Sequence, residues 1–389
     1  MFNRSQNIEQ RTNQKFKSYF GSYTSLISPS ASMNRLMGFL PYKLESSKFV
    51  YSKSYFVFST ISMIIYSVCI IYSLYQINIS SVRFEKFAIK LHITLILLCG
   101  PVIFISAYAK NQSMIQTIDG IWNVSRIPSS ETCRKVATRI LIKDILILIP
   151  PMYYITSTIF YINFIFGYTC WYTFFGVSVQ MSLYMNNVYV LNACFKYIND
   201  SLVKVKEILV NDEPHLLRRV YHMQKNPILL SKLRTLKKQH LEMCEVVQLL
   251  NSTCSVQIEA MLTIMFIDIT FNMYNYLTVH EEVGEVKSLI LIVSFAIYYI
   301  VHILLTVSIV EITRNQMTKI GCSVHRILVH TSDEQVTTEL ELFSLQVLEK
   351  GNTFVMKGLV IDATLLTKMA CSITTFFLIL VQFLLVESC

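Results

Sequence analysis

The sequence predicts an all-α fold, a seven-transmembrane helical bundle, from three observations. Of 389 residues 53% are hydrophobic, only 15% are charged, and the charges avoid seven apolar stretches that together hold one formal charge, Asp268. A soluble protein carries about 25% charge. Each stretch is long enough, at about 1.5 Å per residue, to cross roughly 30 Å of hydrocarbon as a helix. Ten Gly and eight Pro exclude collagen-like and low-complexity chains, and 12% aromatic residues exclude a disordered one.

In chain order, residues 1–53 are polar and basic and are expected to form a cytosolic tail, with no signal-peptide core after the first four residues. The spans are expected at 54–76, 91–109, 145–166, 168–195, 260–279, 288–310 and 369–386. Gly100-Pro101 in the second and Pro150-Pro151 in the third are expected to bend them. Only Gly167 separates the third from the fourth, so a tight helical hairpin is expected there.

Orientation follows from the loops. Segments 1–53, 110–139, 196–259 and 311–360 carry 28 of the 34 Lys and Arg, whereas the alternate loops hold only Arg83, Lys86 and Lys287. That asymmetry places the N-terminus in the cytosol, and an odd number of spans puts the C-terminus outside. G-protein-coupled receptors have the opposite orientation. The chain also lacks Asp-Arg-Tyr after the third span and Asn-Pro-x-x-Tyr in the seventh. A multi-span transporter of a small polar solute is the alternative, but no internal repeat pairs two halves. Of six Asn-x-Ser/Thr sequons only Asn78 falls in an outside loop, where glycosylation is possible. The +9 net charge follows from the inward basic loops, which favour anionic lipid in the bilayer and call for no nucleic-acid partner. On this topology only Cys170 and Cys389 face the oxidising side; the other cysteines read as helix-interface residues or reduced thiols.

Helices are expected on the cytosolic side within 196–259 and 311–368. From Leu229 onward, Leu230, Leu233, Leu236, Leu241, Cys244, Val247 and Leu250 recur at helical spacing, and no Pro or Gly interrupts 228–280. A helix from Leu229 to Leu277 would project about 40 Å beyond the bilayer. Its apolar stripe needs a partner, and the amphipathic segment 335–350, with Val336, Leu340, Phe343 and Val347, is the natural one. The pattern fits an intramolecular bundle or a subunit-assembly domain equally.

In the last span Ser372, Thr375, Ile379, Gln382 and Val386 share one face at steps of three and four. A Gln deep among Leu and Val belongs against a neighbouring helix or water. The alternative to an interhelical hydrogen bond is a pore stripe, with Gln382 and Phe383 at a constriction and Glu387 at the outer mouth. In a symmetric oligomer each becomes a ring, and a ring of carboxylates favours cations.

The stretch from Thr375 through Phe376 to Gln382-Phe383 resembles the TYhhhhhQF signature (h, apolar) in the last span of insect gustatory receptors; Phe376 stands where the signature has Tyr. The segment Met37-Gly38-Phe39-Leu40-Pro41-Tyr42 is similar to a short aromatic segment that many of these receptors carry before the first span. The resemblance implies that residues 54–389 form a subunit of a tastant-gated, non-selective cation channel in the plasma membrane, acting in taste perception. It also implies a homo- or heterotetramer with other gustatory receptor subunits, its pore lined by the last spans and its gate at Gln382 and Phe383. Lys368, at the cytosolic end of that stripe, is an awkward neighbour for cations.

The resemblance places the ligand pocket among the other spans. Asp268, Asn272 and Asn275 lie at i, i+4 and i+7 on one face of the fifth span, a set suited to the hydroxyls of a sugar or to the ammonium of a bitter compound. Tyr154, Tyr161, Trp171 and Tyr298 offer aromatic faces to close such a site. The competing role for Asp268 is a structural pairing with His302 or His92. No cofactor or metal is expected. His280-Glu281-Glu282 lacks the second His of a zinc-protease helix, Cys322, His325 and His330 lack a fourth ligand, and no phosphate loop or nucleophile elbow occurs, so no enzyme is expected.

Overall fold

A computed structural model describes residues 23–45, 48–79, 87–125, 130–159, 164–210, 218–282, 286–331, 333–350, 354–356 and 359–387. The protein is nearly all-helical. In chain order the elements are α1 (Tyr23–Leu36), β1 (Tyr42–Glu45), β2 (Lys48–Tyr51), α2 (Lys53–Asn78), α3 (Phe87–Ala109), α4 (Asn111–Val124) and α5 (Ser130–Ile159). There follow α6 (Phe164–Val210), α7 (Arg218–Glu282), α8 (Val286–His330), α9 (Glu334–Glu349), β3 (Val355–Met356), β4 (Leu359–Val360) and α10 (Ala363–Glu387).

Five helices are long and apolar enough to cross a membrane, by length and composition, among the described residues: α2, α3, and parts of α7, α8 and α10. On α2 the side chains that face away from the protein are Val57, Ile61, Ile64, Ile65, Val68 and Ile71, one apolar helical stripe. α5 and α6 occupy the third and fourth predicted spans. α6 is central, packing most extensively against α8 and α5. Its apolar character is diluted by the buried row Thr169, Thr173, Ser178, Ser182 and Asn186.

The structure departs from the sequence expectations at four places. Gly167 lies in the first turn of α6, so the connection it was expected to form falls earlier, between Ile159 and Phe164. Lys143 and Asp144, at the edge of the third predicted span, are both buried in α5. The expected tail is in part folded. Met37, Phe39, Leu40 and Tyr42 are buried, and the hairpin β1–β2 pairs Tyr42 with Tyr51 and Glu45 with Lys48. Finally, the helix expected from Leu229 begins at Arg218 and runs through Pro227 for 65 residues, about 100 Å at 1.5 Å per residue. α3 and α5 likewise continue through Pro101 and Pro150-Pro151.

Two glycines permit the burial of the segment before α2. Gly38 has φ +77°, which side chains avoid, and turns the chain against Ser59 and Ser62. A Cβ on Gly176 would sit 2.6 Å from Phe104 Cε1 and 3.0 Å from Phe39 Cζ. In the space it leaves, Phe39 stacks on Phe104 at 4.8 Å and Tyr66 meets Phe104 edge-on at 4.4 Å.

The charged half of α7 finds its partner in the same chain. Leu229, Leu233, Leu236, Cys244, Val247 and Leu250 are buried, and α9 packs on α7 and α8 through Val336, Leu340 and Phe343. Asp333 caps α9, accepting from the backbone N–H groups of Gln335 and Val336. Glu339 accepts from Lys237 Nζ at 2.7 Å and from Arg234 Nε at 3.0 Å. Those hydrogen bonds, led by that of Lys237, hold its carboxyl below the usual range. Gln346 Nε2 donates to Lys237 O and to His240 Nδ1, each at 3.0 Å. His240, some twenty residues before the apolar stretch of α7, is pushed down to about 4 by burial and is neutral at pH 7. Leu342, Leu345 and Leu348 form the exposed outer face of α9.

Candidate functional site

α3 and α7 pack side by side and bring His92 to Asp268, with Nε2 2.8 Å from Oδ1. The His92 ring stacks on Phe271 at 4.9 Å and 4°. Asp268 is 2% exposed, and its second oxygen, Oδ2, has no hydrogen-bond partner among the described residues. A buried acceptor left open costs about 1–3 kcal/mol, more when charged, so this oxygen is the point in the cluster most ready to take a donor. Asn272 and Asn275 follow on the same face, half-buried.

The surroundings of Asp268 reach the last helix. Ala88, Ile96, Ile267, Phe271 and Tyr274 form a small apolar cluster of their own, and Leu380 of α10 packs against it. Phe266, two residues before Asp268, meets the ring of Phe376 edge-on at 5.6 Å. The position that departs from the signature is therefore one of the contacts between α7 and α10.

Of the aromatic candidates, Trp171 stacks on Phe175 at 5.4 Å. The Tyr298 hydroxyl lies 2.7 Å from Ser178 Oγ and donates to Ile147 O at 3.0 Å. No hydrogen bond or ring contact among the described residues links either to Asp268. The side chains of Tyr154, Tyr161 and Glu387 lie outside the described residues, as does Cys389. Cys170 is buried within the bundle. Asn78, at the end of α2, is exposed, its amide donating to Leu74 O.

α10 has two faces. Leu365, Leu366, Met369 and Ile373 pack on the bundle, while Lys368, Thr375, Ile379, Gln382 and Phe383 are exposed, Phe383 at 66%. The Thr375 hydroxyl donates to Cys371 O at 2.9 Å. Asp362 fixes the start of the helix, accepting from the backbone N–H groups of Thr364 and Leu365 and standing 3.7 Å from Arg314. These contacts, the Thr364 side chain foremost, hold its carboxyl below the usual range.

Sequence reasoning missed the polar centre of the bundle. Lys143 Nζ lies 2.5 Å from Asp144 Oδ1 and donates to Ser182 Oγ at 3.0 Å. Ser182 Oγ donates to the same carboxylate, and Asn186 Nδ2 reaches its other oxygen at 3.1 Å. His302 is buried nearby on α8, its ring edge-on to Tyr298 at 5.7 Å. A signal was available. Val136, Ala137, Ile140 and Ile147 are the buried stripe of α5, and residues 143 and 144 fall on it, opposite the exposed Leu141, Ile142, Ile145, Leu146 and Ile149.

Comparison with known proteins complements this geometry. The family model described as 7tm chemosensory receptor matches residues 29–387. The Drosophila melanogaster protein "Putative gustatory receptor 28b" is 28% identical over 152 residues, 37% of this chain and 32% of that protein, so the match spans about a third of the relative's length. The insect olfactory receptor OR5 from Machilis hrabei superposes with a TM-score of 0.69 at 11% identity, covering 92% of this chain and 97% of that one. The same receptor in complex with eugenol gives 0.64 at 13% identity, with the same coverage. At these identities the likeness is one of fold.

Proposed function

The chain belongs to the 7tm chemosensory receptor family, and on that premise we propose that it is a subunit of a tastant-gated, non-selective cation channel in the plasma membrane. The reading takes the N-terminus as cytosolic, from the loop charges, and the assembly as a homo- or heterotetramer with other gustatory subunits. The observation that carries it is the outward face of α10, where Thr375, Ile379, Gln382 and Phe383 stand exposed along one stripe. Four such helices around an axis turn each residue into a ring, with Gln382 and Phe383 as the gate and Glu387 at the mouth.

Asp268 is the proposed ligand contact. Its open Oδ2 accepts a hydroxyl or ammonium hydrogen from the tastant, with Asn272 and Asn275 alongside and the aromatic residues Tyr154, Tyr161, Trp171 and Tyr298 as candidate walls. Phe266 and Phe376 then connect the pocket helix to the pore helix within two residues of Asp268. A ligand that binds more tightly when α7 and α10 take their open arrangement shifts the gate by its differential affinity.

The test is patch-clamp recording of the chain at the cell surface against sugars, polyols and alkaloids. A tastant is expected to evoke cation current; Asp268→Asn is expected to shift ligand potency with the pore properties kept, and Gln382→Ala to change permeation or gating with potency kept. Surface-expressed protein that passes no current, alone or with other gustatory subunits, rejects the channel reading.

A further inference from the structure

We infer that a single ordered water is bound between α1, α6 and α7, in a small cavity that Asn34, Gln180 and Gln257 line. Asn34 is fully buried. Its Nδ2 donates to Ser30 O at 2.9 Å and to Val179 O at 3.2 Å, which uses both N–H groups of the amide. Oδ1 is consequently directed away from those carbonyls, and it has no partner among the described residues. An acceptor sealed in this way costs about 1–3 kcal/mol unless something donates to it.

The cavity beside it supplies room and further partners. Its volume of about 10 Å³, as space for a water centre, holds about one water. Gln180 and Gln257 line it with Asn34, and both are buried. Three amides offer the two to four hydrogen bonds that a buried water makes. Phe39, Leu40 and Met114 close the rest with apolar surface. No carboxylate or ammonium lines the space, so the chemistry favours a neutral donor and acceptor over an ion.

The water completes a polar path that otherwise stops at Asn34. Asp144 accepts from Asn186, the Asn186 amide also donates to Ser30 Oγ at 3.0 Å, and Ser30 stands one turn before Asn34 on α1. Through the water the path crosses from α1 to Gln257 on α7, three turns before Asp268. The segment containing Phe39 is thereby fastened to two spans by more than ring packing.

Two measurements on the full-length protein in lipid nanodiscs test this. A cryo-EM map that resolves waters is expected to show one peak about 2.8 Å from Asn34 Oδ1 and from at least one Gln amide. An empty cavity, or contacts near ~2.4 Å that mark a cation, overturns the proposal. In hydroxyl-radical footprinting by synchrotron radiolysis, a bound water generates its radical beside Met114, which lines the cavity. Met114, 8% exposed, is expected to oxidise several-fold faster than Met37, 6% exposed, and Met185, fully buried, neither of which lines the cavity. Gln257→Leu is expected to lower the Met114 rate while leaving the other two unchanged. Equal rates in the wild type, or a Met114 rate that Gln257→Leu does not lower, overturn it. A rise at all three methionines marks a variant that has not folded; the wild-type map and wild-type rates then decide.

Discussion

α6 and α10 both carry polar residues along apolar helices, and they dispose of them in opposite ways. On α6, Ser182 and Asn186 are tied to Asp144 of α5, and Thr173 lies 2.7 Å from the Tyr66 hydroxyl of α2. On α10, Gln382 stands on the exposed face, while Leu365, Leu366, Met369 and Ile373 pack on the bundle. The first helix ties these groups to neighbours inside one chain. The second presents its chemistry outward, which is what a pore-lining helix requires. The pattern of partners, more than the residue types, tells a structural polar residue from one available for function.

The largest effect is expected where the internal pairing is cut. Asp144→Leu leaves the Lys143 ammonium buried without its counter-charge and should cost about 3–5 kcal/mol. Fluorescence-detected size exclusion should show loss of the folded peak. The double variant Lys143→Met/Asp144→Leu should recover much of it, because both charges leave together. Equal losses in the two variants would mean that the pair is not what α6 is organised around.

Acid should act next, at the α7–α9 end. His240 is neutral in the fold, with a pKa of about 4 against about 6.5 when unfolded. Its contribution is therefore full above pH 6.5 and is lost as pH falls towards 4, at up to about 1.4 kcal/mol per unit. Glu339, held below its usual range by Lys237 and Arg234, works in the same direction at lower pH: its contribution is present above the unfolded carboxylate pKa and lost as pH falls through the depressed value. Melting temperature measured from pH 7 to 4.5 should fall, and His240→Gln should flatten that slope.

Gly176→Ala probes how tightly α6 is enclosed. The new Cβ meets Phe104 and Phe39, and a cost of about 1–3 kcal/mol is expected, read as a lower melting temperature. Phe104→Leu in the same chain should relieve part of it.

The smallest effect on stability is expected on α10. Gln382→Ala should change the unfolding free energy of the subunit by less than about 0.5 kcal/mol, as for other exposed positions. A large loss would place Gln382 among the internally paired residues and remove the contrast with α6.

Much of this was legible in advance. Charge-free stretches fall on the long apolar helices, and the repeat from Leu229 to Leu250 with 335–350 located the α7–α9 pairing, because burial of an apolar stripe writes its period into the sequence. Asp268 was legible as an isolated acid, with His92 among its possible partners. The pair 143–144 was not, since two charges at the rim of an apolar run read as its boundary until the stripe through residues 136, 140 and 147 shows them facing inward. The burial of Phe39 was hidden for a related reason: it depends on space left by Gly176, 137 positions away in the chain.

The sequence by itself determined the membrane class, the helical fold, the helical pairing of its charged end and the family resemblance of the last helix. Each of these rests on composition and period within a single segment. Only the tertiary structure decided which polar groups meet: Asp268 with His92, Asp144 with Ser182 and Asn186, Phe266 with Phe376. Such pairs join segments far apart in sequence, and a hydrogen bond or ring contact needs its partner within a few ångströms, a condition that packing alone sets.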